Sequence, residues 1–83
     1  MARNVPETLI HCTVALRKRG KSAKEAFEIC KRRLQQYGYL RKGSIVPTPK
    51  GRKRDLVHRR EPMAARKRRE FDKMANEIFG DVK

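Results

Sequence analysis

Apolar residues recur at helical spacing in three separate stretches of the chain. In the first, Leu9, Ile10, Val14 and Ala15, with Thr13 and Leu16 at the edge, form one stripe over residues 6–19. Asn4 is placed to cap this helix, Pro6 suits its first turn, and Glu7 lies where a carboxylate complements the macrodipole. Arg17, Lys18 and Arg19 fill the last turn, and Gly20 stops it. A second start follows at once. Ser22 and Glu25 in "SAKE" make a capping box, the Ser oxygen accepting a first-turn amide while the Glu reaches back. Ala26, Phe27, Cys30, Leu34 and Tyr37 carry the next stripe, with Ile29 beside them, until Gly38. Helices at about 6–19 and 22–37, joined so tightly, predict a helical hairpin. The third stripe, Phe71, Met74, Ala75, Ile78 and Phe79, predicts an amphipathic helix over about 62–79. Its apolar face covers only the second half. The first half carries Arg66, Lys67, Arg68 and Arg69 on every side and is expected to project from the core. The predicted fold class is mainly α.

Between the second and third stripes the period is lost. Residues 39–61 read as an extended or partly flexible basic connector within a single small domain spanning 1–83. "SIV" suits a short strand at 44–46, and Pro47 and Pro49 keep the chain extended. From Thr48 two readings stand. Thr48 can cap a helix that begins at Pro49 and carries Leu56 and Val57 inward. Alternatively, Pro49-Lys50-Gly51 can turn a hairpin or wing within 44–57. The strand composition of "RKRDLVHRR" is poor, which favours the helix.

Charge changes this picture most. The 83 residues carry a formal net charge of +14. A chain of this length has a small core, and like charges repel in its compact state, so an anionic partner is expected to stabilise it. The excess is concentrated in three clusters: Lys50, Arg52, Lys53 and Arg54; Arg59 and Arg60; and Arg66, Lys67, Arg68 and Arg69. Arginine predominates in them, and its planar fork suits bidentate phosphate contact. Further cations lie on the hairpin. Two tyrosines beside a helix-ending glycine, Tyr37 and Tyr39, are expected to pack rather than to stack on bases. Backbone contact with duplex DNA is therefore the first expectation, and with structured RNA the second.

The order "SAKEAFEICKRRLQQYGYL" followed by "VPTPKGRKR" resembles winged helix-turn-helix DNA-binding proteins over residues 22–57. The resemblance implies that the second helix reads the major groove. Ala23 and Phe27 pack, so it makes Lys24, Glu28, Lys31, Arg32 and Gln35 recognition positions. The chain departs from that pattern by one missing helix and by offering at most one weak strand for the wing. In size and charge it also resembles small accessory proteins of phages and mobile elements. These likenesses imply DNA binding and transcription regulation.

Other chemistry is less well provided for. His11 and His58 are far apart in sequence and no short cysteine pair exists, so neither a metal site nor a cofactor is expected. Neither histidine has an obvious Ser, Cys or carboxylate partner, since Cys12, adjacent to His11, diverges from it by about 100° on a helix, and an enzyme is not expected. Cys12 and Cys30 read as small buried thiols, reduced in a cytoplasmic or nucleoid-associated chain. No signal peptide or apolar span of membrane length is expected. The competing function is a basic inhibitor or adaptor that docks on the acidic face of a larger complex. In that reading Phe71, Met74, Ile78 and Phe79 are the interface, or a homodimer seam.

Overall fold

A computed structural model describes residues 5–79. Four helices follow in order: α1 (Glu7–Lys18), α2 (Ala23–Gln36), α3 (Pro49–Arg59) and α4 (Ala64–Phe79). The three helices expected from periodicity are present within two residues of their expected ends. The fourth, α3, takes up half of the expected connector, and Thr48 caps it with Pro49 at its first position. Residues 44–46 form no strand. Gly43 and Pro47 leave room only for an isolated antiparallel bridge between Leu40 and Pro47.

α1 and α2 are an antiparallel hairpin whose turn is built from two backbone bonds and one cap. Gly20 and Lys21 donate to the carbonyls of Arg17 and Leu16 (3.1 and 3.2 Å), closing α1. Ser22 Oγ accepts from the Glu25 amide (3.2 Å), opening α2. Across the hairpin a disulfide joins Cys12 to Cys30, with their Cα atoms 5.9 Å apart. This corrects the expectation of reduced thiols. The two cysteines are equally spaced about Lys21, so antiparallel pairing brings them level.

α1 is the central helix, packed by α2, α3 and α4. Its first two turns are buried on nearly every side, including Glu7, Thr8, His11 and Thr13. The core gathers Leu9, Ile10 and Val14 of α1, Phe27, Cys30 and Leu34 of α2, Leu40, and Phe71 and Met74 of α4. Ile78 and Phe79 pack against it, with Phe79 edge-on to Phe27 at 5.3 Å between ring centroids. The stripe considered as a homodimer seam therefore lies in the chain's own core.

α3 packs differently. Leu56 and Val57, expected to face inward, are 50% and 62% exposed. The inward residues are polar. Asp55 Oδ1 accepts from the Thr8 amide (2.9 Å) and from the Thr8 hydroxyl (2.7 Å). The N-cap position of α1 is Pro6, which offers no side-chain cap, so Asp55 caps α1 from another helix. The expected cap, Asn4, lies outside the described residues. Among these residues no helix is long and apolar enough to cross a membrane.

Candidate nucleic-acid interface

The "TPKGR" segment opens α3 and ties it to the end of α2. Thr48 Oγ1 accepts from the Gly51 amide (3.1 Å) and its hydroxyl donates to the Gly38 carbonyl. The Thr48 amide donates to the Tyr39 carbonyl (3.1 Å). These bonds set the first turn of α3 against Tyr37 and Tyr39. Lys50 Nζ then donates to the Tyr37 carbonyl (3.2 Å) and lies 5.0 Å from the Tyr39 ring centroid. Arg54, one turn on, places its guanidinium 5.6 Å from the same ring. The two cations and both tyrosines line an open cavity of ≈ 590 Å³ that also reaches His11, Cys12 and His58. Tyr37 is 61% exposed there and does not pack as expected, whereas Tyr39 is half-buried and packs against the core.

The remaining cations divide by helix. Arg52, Lys53, Arg59 and Arg60 are exposed on α3 and at its end. On α4, Arg66 and Arg69 are exposed, whereas Lys67 and Arg68 are half-buried. The first half of α4 does not project. Ala64 is buried, and Arg68 Nη2 forms an ion pair with the buried Glu7 of α1. Arg59 and Arg68 line one groove, so the α3 and α4 clusters adjoin. On α2, Lys24 and Arg32 are exposed and share a face, while Lys31 pairs with Glu28 (3.2 Å). Gln35 donates to the Ser44 carbonyl (3.0 Å), a structural duty. α2 and α3 do not pack along their lengths and meet only where the end of α2 adjoins the first turn of α3. α3 occupies the position where a wing would follow α2.

The carboxylates near these clusters have partners of their own, Glu70 with Lys18 among them. Asp55 is held by Thr8, Glu7 by Arg68, and Glu61 by His58, whose Nδ1 donates to it (2.8 Å). That bond holds the Glu61 carboxyl below its ordinary pKa. Among the described residues only Lys31 and Arg68, of the expected contact residues, pair with a carboxylate.

The two histidines, expected to stand apart, meet. His11 and His58 lie edge to face with ring centroids 4.5 Å apart. Burial lowers the His11 pKa, and His58 and Lys67 lower it further. Sequence reading missed this pair because nothing local links α1 to α3. The only sequence signal was a histidine among the apolar residues of a buried helix.

No protein-family model, curated protein or solved structure matches this chain.

Proposed function

We propose that the chain binds nucleic acid through phosphate contacts from α3 and the start of α4. One observation carries this reading. Lys50, Arg52, Lys53, Arg54, Arg59, Arg60, Arg66 and Arg69 face solvent with no carboxylate partner among the described residues, while Glu7, Asp55, Glu61 and Glu70 are held by Arg68, Thr8, His58 and Lys18. An uncompensated cationic surface raises the local concentration of a polyanion and releases its counterions on contact. Duplex DNA is the first candidate, and Lys24 and Arg32 supply a further contact. Tyr37, exposed beside Lys50 and Arg54, adds a ring on which an unpaired base would stack. The reading places the chain in the cytoplasm or nucleoid, without catalytic chemistry, as a regulator, a packaging protein or part of a ribonucleoprotein. Disulfides persist in oxidising compartments, so on this reading the Cys12–Cys30 pair has to withstand cytosolic reductants.

The test is a salt titration of binding to labelled duplex DNA, an RNA hairpin and a single strand. With ~6 phosphates neutralised, affinity falls about 10³-fold between about 50 and 200 mM salt. Arg52→Ala, Arg66→Ala or Arg69→Ala each lowers the slope by about 1. Absence of binding to all three at the lower salt would sink the reading.

A second reading rests on Leu56, Val57 and Met63, which are exposed among the arginines. A mixed apolar and cationic face suits docking on an acidic protein surface. That reading requires Leu56→Ser with Val57→Ser to abolish capture of the partner while leaving nucleic-acid affinity unchanged.

A further inference from the structure

α3 meets α1 through a set of side chains that leaves polar atoms without partners. His11 is 5% exposed, and neither of its ring nitrogens has a hydrogen-bond partner. Glu7 Oε1, 3.6 Å from His11 Nε2, also lacks one. An imidazole buried this way loses its hydration and gains nothing in return, a cost that natural cores avoid. His58 and Glu61 stand beside it, already joined to each other at 2.8 Å. One ligand atom from each of His11, His58 and Glu61 can be chosen so that all three lie within 4.8 Å of one another.

We propose that His11, His58 and Glu61 bind one Zn²⁺ ion. Two imidazole nitrogens and one carboxylate oxygen form a donor set of borderline softness, which suits Zn²⁺ and is too small and too nitrogen-rich for Mg²⁺ or Ca²⁺. The edges of a tetrahedral zinc site are ~3.3 Å, from metal–ligand distances of ~2.0–2.1 Å. The His58–Glu61 edge therefore opens slightly and His11 closes by a side-chain rotation. A metal on Nδ1 of His11 leaves the Nε2 proton facing Glu7, the carboxylate–histidine pairing that orients a ligand from behind. Glu7 is itself fixed by Arg68. His11 and His58 border an open cavity, from which water would complete the shell. Among the charges around His11, Lys67 opposes the ion and the Glu61 and Asp55 carboxylates favour it, while Glu7 is already paired with Arg68 and Lys50 and Arg54 border the same cavity.

The site would fasten the middle of α1 to the end of α3, where the packing lacks apolar contact. It does not depend on nucleic-acid binding.

The decisive experiment is calorimetric titration of the full chain, stripped with chelator, with ZnCl₂ alone. The expected result is one Zn²⁺ per chain, and visible absorption of a four-coordinate site when Co²⁺ replaces it. His58→Ala and Glu61→Gln, both at partly exposed positions, should each lower Zn²⁺ affinity at least ~10-fold with the helical signal intact. His11→Gln should do the same, but it alters a buried residue, so the decision rests on the other two variants. Asp72→Asn, exposed on α4, is the control and leaves affinity unchanged. Lack of saturable uptake at micromolar Zn²⁺ would overturn the assignment. So would uptake that His58→Ala and Glu61→Gln leave unaltered.

Discussion

Gly51 shows how closely single residues govern the position of the basic helix. It is buried in the first turn of α3, and a Cβ there would lie 2.0 Å from the Tyr39 carbonyl oxygen. In an exposed helix, alanine in place of glycine stabilises by about 1 kcal/mol. Here the obstacle is backbone, which cannot swing aside. Gly51→Ala should therefore reverse the usual sign and destabilise by at least about 2 kcal/mol in urea unfolding. Equal or greater stability would mean that α3 is free to move away from Tyr39. Arg68 gives a second contrast. It shares a run with Arg66 and Arg69, but of the three only Arg68 lies on the backward extension of the stripe that carries Phe71 and Met74. Only the fold brings Glu7 under Arg68. Arg68→Ala leaves a buried carboxylate unpaired. Losing one partner of a fully buried pair costs about 3–5 kcal/mol, and partial exposure of Arg68 reduces the expected loss to about 2. Arg66→Ala should stay within about 0.5 kcal/mol. If urea midpoints for the two variants coincide, the Glu7–Arg68 pair does not hold α4 to α1.

At the scale of helices, what was legible followed from period and caps. α1, α2 and α4 bury apolar stripes, and "SAKE" marks the hairpin turn by local chemistry. α3 was legible in its start, Thr48-Pro49, and misleading in its face. Apolar period assigns Leu56 and Val57 to the core, but α3 docks through Asp55 and His58, whose partners Thr8 and His11 lie on another helix. Polar docking has no period, so no pattern within α3 discloses it. The same holds for the central position of α1. Its polar residues look solvent-facing until Asp55, Arg68 and His58 arrive to receive them. The cysteines were legible in principle, because their equal spacing about the turn is a hairpin signature once the hairpin is accepted. Their bond closes a loop of 18 residues, for which chain entropy supplies about 3 kcal/mol. Reduction, or Cys12→Ser with Cys30→Ser, should lower unfolding free energy by that order. Mass spectrometry should find both sulfurs unreactive to alkylation before reduction. Alkylation of the untreated protein would show that the thiols are free.

For the whole molecule the governing quantity is charge against size. Net charge is +14, and the fold measures 32 × 30 × 26 Å. At about 0.01 M salt the Debye length is ~30 Å, so every cation feels nearly every other across the molecule. At about 0.1 M it is ~10 Å, and only neighbours still repel. Internal pairs such as Glu7 with Arg68 are partly buried and are screened less. Stability should therefore rise with salt, steeply at first and then little. A gain of ~1 kcal/mol corresponds to about 4–8 °C in Tm for a chain of this size. Calorimetric scans from about 0.01 to 0.1 M NaCl should show a shift of that order. Binding to a polyanion has the opposite salt dependence, because each released counterion favours the complex at low salt. A bound duplex should raise Tm most at the lowest salt, where the free chain is least stable, and the gain should vanish as salt rises. A Tm that is flat or falling with salt in the free chain would show that the cations are neutralised within the fold. The surface from Lys50 to Arg69 would then lack the unbalanced field on which nucleic-acid binding rests.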